Sequence, residues 1–540
     1  MAPQLFTNGH IFNGKASASD FPTSMAVENG KITYVGPSDS TEFQAYQNKD
    51  TDIEIRDLHG NYVLPGFIDG HSHFLLLGQS LPKADLNGST DLAEIRRRIA
   101  EYAKANPEKK RILCKGWMHV MTVGEAKVSM LDDLDPRPIY VDSKDLHSTW
   151  CNSAALKEMG IAEMEDPDGG MIERDAEGKP SGLLSEACVL QVVWPHLAEV
   201  LSMDEKMDTL DGAIRAYHEV GTTGCIDMAM DENGWEAILA LRARGCGKLK
   251  MRIAAHWIIV PGEGAEHRLK QVDRAIELAR QFNNETSPDL RIAGIKIITD
   301  GVIDACTAAL TKPYTTTGLS TDPIWSPSML DPVVKKACDA NLQCALHAIG
   351  DQAVHNAVNA LETHGKPGQR HRIEHLELTS REDAARLGKL GITASIQPVH
   401  ADPAIVRAWP KLLGPTRLTR AFAYKEFADH GATLSLGSDT PTAPHDVMQN
   451  LYVATTRKSA RQPQAGDAPL NEHFKLGVAE AVSAASAGTA YSCFAEERVG
   501  SLDVGKMADF VVVDMEFEAG ALLGARVKET WFEGQKVYEG

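Results

Sequence analysis

Eight apolar, strand-like runs alternate with helical runs, and short hairpins cluster at the two ends of the chain. Together these predict an α/β fold: a (β/α)8 TIM barrel with a small β-sandwich domain built from both chain termini and an insertion after the first barrel strand. At 540 residues the chain exceeds what one core usually organises, so more than one domain is expected.

Residues 1–61 read as strands and turns. Leu5 to Gly14 alternates around Asn8-Gly9, a hairpin signal, and Met25 to Gly36 repeats the pattern around Asn29-Gly30. The far end is similar, with a strand over Asp509–Asp514 and a hairpin over Val527–Tyr538. Neither end alone supplies enough strands for a stable sheet, so 1–61 and 490–540 are expected to form one composite β domain around an inserted barrel over 62–489.

The apolar run from Tyr62 to His73 reads as the first barrel strand. Residues 80–205 then interrupt the rhythm and predict an inserted lid or subdomain expected to cover the barrel mouth. Within it Asp91 to Ala105 is helical with a basic face, Pro138 to Asp142 is a strand, and Asp166 to Gly182 reads as turns. From residue 205 the alternation is regular. Strands are expected at Thr222–Asp227, Lys250–Ile259, Ile292–Ile298, Gln343–His347, Arg370–His375, Thr393–Gln397 and Thr433–Gly437. A doubly wound open sheet competes with the barrel, but no Gly-rich phosphate loop follows any strand.

Composition narrows the function classes. A net charge of −19 argues against nucleic acid and anionic membrane as partners, and no apolar run is long enough to span a bilayer. Nine scattered cysteines do not form a disulfide framework, and the N-terminus lacks a signal-peptide pattern, so a cytoplasmic location is expected.

The chemistry concentrates at the C-terminal ends of the expected strands, where barrels of this kind carry their active sites. The first strand ends in His71-Ser72-His73, whose i, i+2 spacing projects both imidazoles to one side, an arrangement suited to zinc. Alone the pair is a weak motif. Lys296 stands among aliphatics in the fourth strand, the fifth ends in His347, the sixth in Glu374-His375, and the eighth runs into Asp439. Each has a plain reading: a packed histidine, an edge lysine, a helix-capping aspartate. Six coincidences at the ends of five strands are improbable as independent accidents. Glu374, by strand alternation, is expected to point away and to be structural.

These motifs resemble the amidohydrolase superfamily almost end to end, from the N-terminal hairpins through Leu64–His73 to Gly500–Phe510. More narrowly, Lys296–Gly301, His347–Asp351, Arg372–His375, Gly437-Ser438-Asp439 and, in the insertion, His147–Leu156 and Gly169–Asp175 resemble the branch that contains N-substituted formamide deformylase. The resemblance implies a binuclear metal site. His71, His73 and Asp439 would hold one ion, His347 and His375 the other, with Lys296 bridging them as a carboxylated lysine. An unmodified Lys296 beside one ion is the alternative, and zinc is the first choice over manganese or iron.

The implied activity is hydrolysis of a non-peptide C–N bond in a small amide, first an N-substituted formamide, with Asp439 as general base and acid. A lactam, N-acyl amine, carbamate or ester on the same site, or a catalytically inactive binding or scaffold relative, stay open. Trp117, His147, Asp300 and His400 are candidate substrate-binding residues. Trp117 could equally pack the lid's own core. A homodimer is expected from the general prevalence of symmetric oligomers.

Overall fold

The computed structural model describes residues 3–17, 21–47, 53–144, 146, 148–167, 170–186, 188–262 and 264–540. The chain divides into two compact units: Met1–Phe74 with Ile214–Glu232 and Arg242–Gly540, and an inserted unit of Leu75–Ala213 with Asn233–Leu241.

The first unit contains eight parallel strands, β1 (Phe67–Ser72), β2 (Thr222–Met230), β3 (Arg252–Ile258), β4 (Leu290–Ile298), β5 (Gln343–Ala348), β6 (Arg372–His375), β7 (Thr393–Ile396) and β8 (Leu434–Leu436), hydrogen-bonded in that order. The sheet curls until its edges meet. Asp439 N–H donates to His71 O at 2.7 Å, His73 N–H donates to Thr440 O at 3.0 Å, and Ser72 pairs with Thr440. Gly437 makes the seam possible, since a Cβ there would lie 2.3 Å from His71 N. The predicted (β/α)8 barrel is therefore the observed architecture.

Helices alternate with the strands for local reasons. Arg381–Leu390 is typical: Ser380 caps it by accepting from Asp383 N–H at 3.0 Å, Ala384 and Leu387 are buried, and Gly391 ends it with φ 65°.

The run expected as one strand from Tyr62 to His73 is two. Tyr62–Pro65 pairs antiparallel with Phe510–Asp514, in a sheet completed by His10–Ile11, Arg526–Phe532 and Gln535–Glu539. The chain changes sheets at Gly66, where a Cβ would meet Thr223 Oγ1 at 2.5 Å. A second terminal sheet joins Lys31–Gly36, Ser24–Glu28, Gln4–Thr7 and Glu54–Asp57. Phe6, Phe510 and Trp531 pack together between strands from the two chain ends, with ring centroids 5.1–5.4 Å apart.

The inserted unit has its own six-stranded sheet and core. Its helix Leu92–Ala105 is capped by Asp91, which accepts from Glu94 N–H at 2.9 Å. The Asp166–Gly182 stretch, expected as turns, instead contributes to a hairpin of Gly170–Arg174 against Pro180–Glu186. Ile172, opposite Leu184, supplies the buried pair, while Asp175 and Gly178 make the turn. Among the described residues no helix is long and apolar enough to cross a membrane.

Candidate active site

The site lies at the C-terminal ends of the barrel strands. β1 presents His71, with His73 just beyond it, and the chain leaving β8 turns through a left-handed Asp439 (φ 59°) that aims its carboxylate at both imidazoles. Oδ1 of Asp439 lies 3.4 Å from His71 Nε2 and 3.1 Å from His73 Nε2. β5 and β6 add His347 and His375, whose ring centroids are 4.4 Å apart, and His375 is 4.8 Å from His71. His400, in the turn after β7, stacks on His375 at 5.7 Å and points Nε2 at Asp439 Oδ2, 3.5 Å away. Lys296 of β4 is fully enclosed, and its Nζ has no hydrogen-bond partner among the described residues.

The six residues expected at the strand ends thus lie at or just past the ends of β1, β4, β5, β6 and β8, and five are linked by these direct contacts. Their electrostatics favour ligand chemistry. Burial pushes His71 down to about 4 and His347 to about 3, each reinforced by the Lys296 ammonium. Burial also holds His375 well below its ordinary value, with His347 adding to the effect. Neutral imidazoles keep a nitrogen lone pair to give. Burial would raise Asp439, but His71, His73 and His375 hold it well below the usual carboxylate range. Burial lowers Lys296 to about 8, opposed by Glu374 and Asp439.

His71, His73 and Asp439 bring one atom each within 4.8 Å of one another, as do His375, His400 and Asp439. Lys296 Nζ, His347 Nε2 and His375 Nδ1 are buried without hydrogen-bond partners among the described residues. Buried polar atoms are ordinarily satisfied, so the two orphan imidazole nitrogens beside an anionic carboxylate fit a cation of borderline softness, and Lys296 Nζ joins them only once it is uncharged.

Glu374 corrects an expectation. It does not point away: Oε2 accepts from His71 Nδ1–H at 2.7 Å, leaving Nε2 of His71 free to face Asp439. Alternation misleads at this strand end because His375 and Leu376 both take left-handed backbone (φ 76° and 51°), turning His375 toward the site without displacing Glu374. Arg372 holds Glu374 through Nε at 2.8 Å and Nη2 at 3.2 Å.

Two further carboxylates escaped the sequence reading. Glu377 Oε1 accepts from His400 Nδ1–H at 3.1 Å, fixing the ring that faces Asp439. Burial raises Glu377, against the neighbouring His400. Asp69 accepts from Ser438 N–H (2.9 Å), Ser438 Oγ–H (2.5 Å), His71 N–H (3.2 Å) and Tyr217 O–H (3.0 Å), so it ties the His71 strand to the Asp439 turn. A lone carboxylate inside the apolar run Phe67-Ile68-Asp69 was the available signal.

The expected substrate contacts fare differently. His400 is at the site. Asp300 is close to His347 (3.5 Å), but its oxygens accept from the N–H groups of Ala309, Ile349 and Gly350 at 2.9–3.0 Å. It serves to hold the loops after β4 and β5, which corrects its placement on the pocket wall. Trp117 is fully buried in the inserted unit's core, its ring 5.5 Å from Trp150 and its Nε1–H donated to Thr122 Oγ1 at 3.3 Å. Its role is packing rather than ligand contact. His147 lies outside the described residues.

Comparison with known proteins gives the same lineage. Over its full length the chain is 29% identical to Protein LONG AFTER FAR-RED 3 of Arabidopsis thaliana, covering 92% of that protein. It is 25% identical to N-substituted formamide deformylase of Arthrobacter pascens, covering 98% of both chains. A crystal structure of an uncharacterized metal-dependent hydrolase from Pyrococcus horikoshii superposes with a TM-score of 0.78 at 23% identity, over 96% of this chain and 99% of that one. Residues 54–538 match the model of the amidohydrolase family, so the chain belongs to that family and is a hydrolase.

Proposed function

We propose that the protein hydrolyses the C–N bond of a small non-peptide amide, with an N-substituted formamide as the first substrate to test, using divalent metal held by His71, His73, Lys296, His347, His375 and Asp439. The observation that carries this reading is the convergence of His71, His73, His347, His375 and Asp439, with the buried nitrogens Lys296 Nζ, His347 Nε2 and His375 Nδ1 unsatisfied among the described residues. The similarity to N-substituted formamide deformylase supports the choice of substrate.

A divalent ion in this site supplies Lewis-acid polarisation of the amide carbonyl and lowers the pKa of water toward neutrality. The protein's own residues do the rest. Asp439 accepts a proton from the attacking water and returns it to the departing nitrogen, so one carboxylate serves as base and then acid. Glu374 and Arg372 keep His71 in the tautomer that offers Nε2. His400, fixed by Glu377, presents an N–H or lone pair beside Asp439 and the acyl or amine portion of the substrate.

In this reading Lys296, as the carbamate formed with carbon dioxide, would help hold the metal. The modification turns an enclosed, unpartnered amine into an anionic oxygen ligand. Zinc is the preferred metal, one or two ions per chain. All nine cysteines are unpaired and seven are buried, which supports the cytoplasm as the location, and a homodimer is the proposed assembly.

The test is metal analysis with hydrolysis of a panel of N-substituted formamides, N-acyl amines, lactams, carbamates and esters, before and after chelation. Turnover of a formamide that chelation abolishes is expected. A metal-loaded protein inert on the whole panel would point to a binding or scaffold role.

A further inference from the structure

The two faces of β3 and β4 are treated differently by the fold. Their outward residues, Trp257, Ile295 and Ile297, are buried, as is Ile259 just past β3. Their inward residues at the C-terminal end are also aliphatic, yet they are not enclosed. In β3, His256 faces the barrel interior, where Nε2 bonds Gln343 Oε1 at 2.8 Å, and Ile258 is the next residue on that face. Ile258 is in register with Lys296 and is half-buried. In β4, Ile298 is two residues beyond Lys296 and in register with His347, and it is 38% exposed.

Two more aliphatics are brought to the same rim. Ile259 N–H donates to Lys296 O at 2.9 Å, which sets Val260 beside the end of β4. Ile324 N–H donates to Thr299 O at 2.8 Å, folding the long loop after β4 back beside Ile298. Val260 is 46% and Ile324 49% exposed. Single exposed aliphatics are ordinary, but Ile258, Val260 and Ile298 at the ends of two adjacent strands, with Ile324 brought back to them by its bond to Thr299, mark a binding surface next to the ligand residues. The other side of the site, after β6 and β7, carries the polar pair Glu377–His400.

We infer that Ile258, Val260, Ile298 and Ile324 form an apolar subsite for an alkyl substituent of the substrate. The reacting amide then lies over the ligand residues and its polar end toward His400. This rests on the amide-hydrolase reading for the identity of the reacting group, though the surface itself does not depend on it. Ile298 is the central contact, because it shares a register row with His347.

The experiment separates the two claims. Binding of n-alkylureas, neutral amide analogues running from ethyl to hexyl, is measured by calorimetry on the metal-loaded enzyme. Turnover of the matching N-alkylformamides is measured in parallel. Each added methylene is expected to tighten urea binding about two- to fourfold, fourfold being the factor for full transfer from water to an apolar site. Ile298→Asn, at a partly exposed position that tolerates polarity, should flatten this to less than about twofold per methylene, and Ile298→Val should retain most of it. Binding that is absent, independent of chain length, or equally steep in Ile298→Asn overturns the subsite. Failure of every formamide to turn over, with the chain-length dependence intact, sinks the formamide reading and leaves the subsite standing.

Discussion

Replacing Glu374 with Gln tests whether the site is built outward from His71. In the native chain Glu374 Oε2 is 2.7 Å from His71 Nδ1, and Arg372 reaches Oε1 at 2.8 Å; all three side chains are buried. Removing the charge weakens the acceptor that fixes the imidazole, which in comparable sites lowers metal affinity about 10- to 100-fold, or about 1.4–2.7 kcal/mol. It also strands the Arg372 guanidinium. Breaking one side of a buried ion pair costs about 3–5 kcal/mol. The low end applies here, because Gly70 O, Ser395 Oγ and Ser492 Oγ still accept from Arg372 at 2.6–2.8 Å. Metal affinity is read by competition with a chromophoric chelator, and stability by denaturant unfolding of the metal-free protein. Glu374→Asp keeps the charge near Arg372 while drawing it back from His71, so it should lose affinity with a smaller stability loss. A folded Glu374→Gln protein that binds metal within about twofold of wild type would refute an orienting role.

Asp439→Asn should lower kcat by about 10²–10⁴ while most of the metal remains, as read by steady-state kinetics with metal analysis; near-normal turnover would remove Asp439 from the base role. Trp117→Ala should destabilise the inserted unit by about 3–5 kcal/mol, since the indole is fully enclosed. A raised KM with an unchanged unfolding midpoint would instead restore its ligand-facing role. Gly437→Ala forces a Cβ against His71 N and should cost about 1–3 kcal/mol or more, with metal content falling alongside the melting temperature. Chelation followed by zinc or manganese in bicarbonate should restore activity more fully than metal in carbonate-free buffer, if Lys296 is carboxylated.

The barrel and the six strand-end residues were legible because each ligand candidate follows an apolar run, where a histidine, lysine or aspartate stands out. What was hidden depended on backbone conformation or on partners distant in sequence. The apolar continuity of Tyr62–His73 conceals a change of sheet at Gly66, on which the distant residues Thr223 and Asp509 pack. The left-handed turn at His375 defeats the alternation rule and so hides Glu374. Asp300 reads as a pocket residue in sequence because the three amides it accepts from are remote or across a loop. Trp117 had two equally good readings, and burial decided between them.

The most direct test of the central claim is the kcat/KM for an N-substituted formamide measured on one preparation in three states: as isolated with its metal quantified, after chelation, and after reconstitution. Activity that falls with metal content and returns with it, and is abolished in the His71→Ala and His347→Ala variants, is the predicted result. Formamide turnover that persists at full rate in the chelated protein or in those variants would contradict the account.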